Sequence, residues 1–487
     1  MKRFFGLVGL GLVVLVGVLV YRALTFTLEQ GPLPPAVAVA VDDDAAVARL
    51  AAALRIPTVA NSTEPHFDPA AFDALHAHLR ASFPNLFTTL STEAVNRDSL
   101  IFTWQGTDPT LKPILLMAHQ DVVPVDTGTE PAWSRPPFAG EVADGWIVGR
   151  GALDVKSGLM GILEAVELLV KAGHRPKRTV YLAFGHDEEL GGTHGAKAVA
   201  KRFAERGVHF EFVLDEGGSV VEGVVPGVKG PVALVGVAEK GYVSLRLSAE
   251  GAGGHSSMPP PRTAVGVVAQ AVTRLEQSPF PAHIDHAGRF FAYVGPKMPF
   301  DRRLVFANLW LFEPLIFRIL SGTPSMNASI RTTTAPTMMR GGVKDNVLPV
   351  HAEAVVNFRI LPGETPATVK TRVEAVIDDP AVKVEEVEGF GDDPSPISDV
   401  RSTSFALVRD AIRQAAQDPE LVVAPYLTVG ATDSRYFQGI TDNTYRYLHI
   451  RLGPDDLARL HGTDERISVA NYLEMVRFYY LLIRNAT

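Results

Sequence analysis

The chain has 487 residues, 46% of them hydrophobic and 21% charged, with a formal net charge of −8 at pH 7. That length supports one or two large cores, and an acidic balance without a long basic run argues against a nucleic-acid surface. There is no cysteine, so disulfides and thiolate ligands are excluded, and any metal must be held by His, Asp and Glu.

Lys2 and Arg3 precede an uncharged apolar run over residues 4–20, followed by Tyr21 and Arg22. The run is long for a secretory signal and at the short limit for a spanning helix. No small-x-small site follows at once, since Ala38-Val39-Ala40 lies well downstream. Residues 1–24 therefore read as an uncleaved signal anchor, and cleavage would instead make the chain secreted. Lys2 and Arg3 stay inside, which puts the rest of the chain on the periplasmic or extracellular face, although Arg22 adds a positive charge to the other flank. Residues 25–41, with Gly31, Pro32, Pro34 and Pro35, read as a linker.

From residue 42 to 239, short apolar runs alternate with amphipathic helices. A helix is expected over 42–54, strands over 114–118, 179–185 and 210–214, and a helix over 157–171. In the last, Leu159, Ile162, Leu163, Val166, Leu169 and Val170 form one apolar stripe, with Gly173 as its cap. Such alternation predicts an α/β catalytic domain with a doubly wound, mostly parallel sheet. Residues 240–362 change character, with alternating strands over 243–249 and 352–360, a helix over 264–275 and an apolar stretch over 304–320. This segment reads as an inserted α+β lid or dimerisation domain. Residues 363–487 then return to the catalytic domain, with helices over 403–415 and 470–483.

His119, the pair Glu188-Glu189, and Asp215 each follow one of the three buried strands. The carboxyl ends of strands in an open α/β sheet form the ligand crevice, so these side chains converge, and all of them suit a metal. In His119-Gln120-Asp121, the His and Asp point the same way on an extended segment, and the carboxylate can orient the imidazole. Gly149-Arg150-Gly151-Ala152-Leu153-Asp154 delivers another carboxylate just ahead of a helix. Adjacent carboxylates at 188 and 189 point apart, so one can bind metal while its neighbour acts as a base.

These motifs, with Leu214-Asp215-Glu216-Gly217, Gly253-Gly254-His255-Ser256-Ser257 and Leu460-His461-Gly462, together resemble the di-zinc aminoacylase/carboxypeptidase family of metallopeptidases. The likeness runs from about residue 46 to the carboxyl end. Asn308-Leu309-Trp310-Leu311-Phe312, Arg331-Thr332-Thr333-Thr334-Ala335 and Asn357-Phe358-Arg359-Ile360 are similar to its carboxypeptidase S branch, which includes N-fatty-acyl-amino-acid synthase/hydrolases. The resemblance implies that Asp154 bridges two zinc ions, for which cobalt or manganese can substitute. His119 and Asp215 would complete one ion's ligands, and Glu189 and His461 the other's. Asp121 would support His119, Glu188 would be the general base, and His255 would stabilise the carbonyl oxygen. Asn346 and Arg359 would hold a substrate's free carboxylate, a task that suits a bidentate Arg. A homodimer through the inserted domain is also implied. The family often carries a second Asp after the bridging one, with a cis peptide between them; this chain has Val155 there.

The implied activity is zinc-dependent hydrolysis, or reverse synthesis, of the amide bond of N-acyl amino acids or short peptides. A membrane-tethered carboxypeptidase or dipeptidase, and a catalytically inactive binding protein on the same fold, are the rival readings. Asp433 is either a helix N-cap or a site residue, His186 and His194 read as structural, and residues 304–320 are either ordinary core or an acyl-chain groove.

Overall fold

The computed structural model describes residues 1–28, 30–63 and 66–487; Glu29 of the expected linker lies outside the described residues. Strands Ile114–His119, Val180–Gly185 and Phe212–Asp215 run parallel, with Ile114–His119 in the middle. Every residue of Ile114–His119 is buried, as expected of a strand covered on both faces, whose sequence is continuously apolar rather than alternating. On one side the Ser91–Val95 and Ser99–Trp104 hairpin extends the sheet antiparallel. On the other, Thr444–Arg446 pairs parallel with Phe212–Asp215 and antiparallel with Val232–Glu239. The resulting ten-stranded sheet is mixed, where the sequence suggested a mostly parallel one. Its antiparallel members include short strands and a tight hairpin whose loop takes positive φ at Asn96 and Arg97, features that a strand–helix alternation does not reveal.

Helix Lys156–Lys171 crosses this sheet and packs against the carboxyl-terminal helix Val469–Ala486. It is buried almost all round, so its two acids need partners. Arg49 clamps Glu164 through two bonds of 2.5 and 2.7 Å, and Glu167 accepts from Asn85 Nδ2 and the Leu86 backbone.

A second, fully antiparallel sheet has the order Thr333–Gly341, His351–Ile360, Gly241–Glu250, Lys383–Asp392. Its central strand His351–Ile360 alternates between buried and more exposed residues, because one face of the sheet is covered and the other is not. On the covered face Val243, Leu245, Leu247, Val356, Phe358 and Ile360 meet Val369 and Val373 of helix Pro366–Ile377. The second unit therefore runs to Asp392, past the expected return at 363, because helix Pro366–Ile377 and strand Lys383–Asp392 find their apolar partners on this sheet. Conversely, the helices between Asp285 and Ile330 send Ala287, Phe291, Ile316, Leu320 and Ile330 into the core of the first sheet.

Helix Lys2–Leu24 is the one described helix long and apolar enough to cross a membrane, and little of it is buried. The segment after it is not a free linker. Arg413 Nη1 donates to the carbonyls of Gln30, Gly31 and Pro32, Gln414 Nε2 donates to that of Pro35, and Gln30 Oε1 accepts from the Val423 backbone. A proline-rich segment has few N–H donors of its own, and its carbonyls are satisfied by these side chains instead.

Candidate metal centre

His119 ends its strand at the carboxyl edge of the sheet, with Nε2 3.0 Å from Asp154 Oδ1 and 3.5 Å from Glu216 Oε1. The other oxygen of Asp154 lies 3.0 Å from His461 Nε2, which is 3.4 Å from Glu189 Oε2. Two groups of three side chains that could each hold a metal ion, His119–Asp154–Glu216 and Asp154–Glu189–His461, thus share Asp154.

Buried carboxylates hold these ligands in place. The carboxylate of Asp121 accepts from the backbone N–H groups of Glu188 and Glu189, at 3.3 and 3.1 Å, so one side chain fixes the turn that carries both glutamates. His119 Nδ1 donates to the Asp121 backbone carbonyl at 2.9 Å, while the Asp121 carboxylate is farther off at 3.4 Å. The Gly149–Asp154 turn closes around Glu465, which no sequence motif singled out. Its fully buried carboxylate accepts from the N–H groups of Gly151, Leu153 and Asp154 and from Arg150 Nη1, at 2.7–3.0 Å. Gly151 takes φ +90°, and a Cβ there would meet Val122 Cγ1 at 2.9 Å, so the turn needs a residue without a side chain. The Asp154–Val155 peptide is cis.

The arrangement differs from the sequence expectation at Asp215. Its neighbour Glu216 joins the ligand set, while Asp215 Oδ2 accepts from the Ser434 backbone at 2.7 Å. Successive residues at the end of a strand point to opposite sides, so only one of this pair can face His119. Asp433 is buried with no hydrogen bond to either carboxyl oxygen and caps no helix; burial, then Asp215, push its carboxyl well above the usual range. His186 Nδ1 pairs with Ser99 Oγ within the core.

The second sheet's candidates divide. Arg359 is stacked over the Tyr242 ring at 4.8 Å, and the charge of Arg435 is felt by both Arg359 and Glu188. Arg435, missed in the sequence, packs on Tyr436 and donates to the Gly191 carbonyl. His255 and Asn346 instead share an exposed two-stranded ribbon, Gly254–His255 with Val347–Leu348. There His255 Nδ1 bonds Ser257 Oγ, and Asn346 Oδ1 accepts from Lys344. Among the described residues, none of their hydrogen bonds reaches the ligand set.

The electrostatics of the cluster call for cations. Burial, then Asp154, push Glu216 up to about 7. Burial pushes Glu188 well above its usual range, with Asp433, Glu216 and Glu189 adding to it. Hydrogen bonds donated by His461 to Asp154 and Glu189 hold its pKa up at about 10. Four carboxylates thus crowd around two imidazoles, and Glu189 Oε1 is buried with no hydrogen-bond partner. Divalent ions satisfy such a set, and nitrogen and oxygen donors in these proportions suit zinc.

A cavity of about 670 Å3 lies beside the first sheet, lined by Phe290, Phe291, Met298, Phe306, Ile316 and Leu320 among others. Leu427 also lines it, and Thr428 packs against Gly217, next to Glu216, where an added Cβ would come within 3.7 Å of Thr428 Cγ2. Lys240 Nζ donates to the carbonyls of Ala328 and Arg331, flanking the cavity wall. Burial, then Arg359, lower its pKa to about 7.

Residues 115–485 match peptidase family M20/M25/M40. The chain is 42% identical over 441 residues to probable carboxypeptidase S-like 2 of Dictyostelium discoideum, covering 90% of this chain and 84% of that protein. It is 40% identical over 445 residues to the N-fatty-acyl-amino acid synthase/hydrolase PM20D1 of Homo sapiens, covering 90% and 87%. The fold is shared with the M20 family metallo-carboxypeptidase Sso-CP2 of Sulfolobus solfataricus, at TM-score 0.63 and 18% identity over 90% of this chain and 98% of that one. With its paired ligand sets, and relatives of this kind along nearly its whole length, the chain belongs to peptidase family M20/M25/M40 and is a metal-dependent hydrolase.

Proposed function

We propose that this enzyme hydrolyses, and in reverse forms, the amide bond of N-acyl amino acids with long hydrophobic acyl groups. His119, Asp154 and Glu216 would hold one zinc ion, and Asp154, Glu189 and His461 a second, with cobalt or manganese as substitutes. Glu216, rather than its neighbour Asp215, is the proposed ligand on the strand Phe212–Asp215 side. Zinc bound there supplies Lewis acidity toward the amide carbonyl and lowers the pKa of water. Glu188 accepts the proton of the attacking water and returns it to the leaving nitrogen. Asp121, holding the backbone of residues 188 and 189, keeps that carboxylate aimed. Arg359, with Arg435 beside it, receives the free carboxylate of the amino-acid part. His255 and Asn346 serve the site from a second copy of the chain, or after movement of the second sheet.

The observation that carries the acyl reading over the short-peptide reading is the apolar cavity. Its volume falls within the roughly 300–1,000 Å3 of small-molecule sites, and its lining is mainly apolar, with His286, Asp301, Arg302, Ser325, Ser329 and Tyr426 among the polar members. The relatives named for N-fatty-acyl-amino acids point the same way. The first helix is assigned as an anchor, with the catalytic part outside the cytoplasm. The test is hydrolysis of a long-chain N-acyl phenylalanine against a dipeptide, with and without chelator. Preference for the acyl substrate, lost with chelator and restored by zinc, is expected; preference for the dipeptide would replace this reading with a carboxypeptidase or dipeptidase.

A further inference from the structure

Helix Leu309–Leu320 carries two charged residues, Glu313 and Arg318, and otherwise shows apolar side chains all round. Its inner residues Ile316 and Leu320 are buried in the main core and line the cavity. Trp310, Leu311 and Leu315 are between 40% and 56% exposed, as is Ile319 at the rim of the cavity. A helix whose outer face is this apolar is at home against protein or lipid, not water.

Two hydrogen bonds join the start of this helix to the end of Lys2–Leu24. Asn308 Nδ2 donates to the Leu19 carbonyl and Arg22 Nε donates to the Ala307 carbonyl, each at 3.1 Å. Asn308 is fully buried at this junction, as is Ala23. Exposed apolar side chains flank this junction on both helices, Val18, Tyr21 and Leu24 on one and Trp310 on the other. Tyr and Trp favour the boundary between water and hydrocarbon. Arg22 and Arg318, on the two helices themselves, are exposed, and long basic side chains of this kind reach lipid phosphates; Glu313 is the acid on the second helix.

We infer that the outer face of helix Leu309–Leu320 lies in the headgroup–acyl boundary of the bilayer spanned by Lys2–Leu24, as a second membrane contact beside the span. The inference rests on the first helix being an anchor. What selects lipid over a protein partner is the hydrogen-bonded junction of this helix's start with the end of the span.

The absence of cysteine makes a direct test available. Leu12→Cys, Leu315→Cys and Val343→Cys are made one at a time in the full chain and labelled with nitrobenzoxadiazole. Each is reconstituted in vesicles of phosphatidylcholine and phosphatidylglycerol, some lipids carrying a nitroxide near the top of the acyl chain and others near its end. Leu12 sits in the apolar run, and Val343 is 96% exposed in the loop after strand Thr333–Gly341. Quenching at positions 12 and 315, with none at 343, is the expected result. Quenching at 12 alone overturns the second contact and leaves the anchor. Quenching at neither overturns the anchor and the contact together. Equal quenching at all three means unspecific adsorption and overturns the inference. A probe at 315 shielded from aqueous iodide but not quenched by lipid assigns the face to a second copy of the chain, which also overturns it.

Discussion

Replacing Glu465 with Gln tests whether one buried carboxylate assembles the bridging-ligand turn. Oε1 accepts from the Leu153 and Asp154 N–H groups, and Oε2 from the Gly151 N–H and Arg150 Nη1. Whichever way the new amide is turned, its NH2 group faces two donors and loses both bonds. Arg150, only 2% exposed, also loses its ion-pair partner. Removing one member of a buried ion pair costs about 3–5 kcal/mol. Hydrogen bonds to a charged group, at roughly 1.5–3 kcal/mol each, are already part of that figure, so the variant should lose about 3–5 kcal/mol in denaturant unfolding. Because the turn aims Asp154, metal affinity should also fall about 10–100-fold, the usual effect of losing a group that orients a ligand. Chelator competition followed by metal analysis reads the second quantity apart from the first. A variant that unfolds within about 0.5 kcal/mol of the parent, the range of an ordinary surface change, and that keeps its metal would refute the role assigned to Glu465.

Glu188→Gln should lower turnover by about 10²–10⁴-fold, the range of general acid–base catalysis, while metal content stays that of the parent. Loss of metal would move Glu188 into the ligand set. Glu216→Ala should release metal at a chelator concentration that Asp215→Asn withstands, as read by metal analysis after dialysis; the reverse order would restore Asp215 as ligand. Arg359→Ala should raise KM for substrates with a free carboxylate and leave that of the matching amides unchanged, so equal effects on both would remove it from the binding site. Ala287→Phe places a ring in the apolar cavity, at a packing cost of about 1–3 kcal/mol. It should abolish the preference for long acyl chains while short-chain hydrolysis persists; unchanged chain-length preference would separate the cavity from substrate.

How far the site could be read from sequence depended on how each residue is placed. His119 and Glu189 stand just after buried apolar runs, where strand ends are easy to locate, and Asp154 stands before an amphipathic helix. His461 carries no such local signal, has positive φ, and was found through family resemblance alone. Asp215 and Glu216 were separable only by side-chain direction at the last residue of a strand, which a one-residue difference in strand length reverses. Glu465 was invisible because its role depends on donors 311 to 315 residues away, and Arg435 because it sits in the short helix Asp433–Ile440 while its neighbour Arg359 lies on the second sheet. The three central strands were legible from their continuous burial. The sheet's mixed character was not, since strands as short as Thr444–Arg446 leave no periodicity to read.

That strand has a bearing on how the protein is made. Thr444–Arg446 fills the place between Phe212–Asp215 and Val232–Glu239, and all three of its residues are buried. During synthesis, the two flanking strands emerge long before the segment that joins them. Until then the sheet has an unpaired edge at its centre, apolar and open to other chains. His461 follows later still, so until then the nascent chain lacks one member of the candidate metal groups. Folding to the active enzyme waits on the carboxyl-terminal segment, and the growing polypeptide passes through its most aggregation-prone stage while it is still catalytically silent.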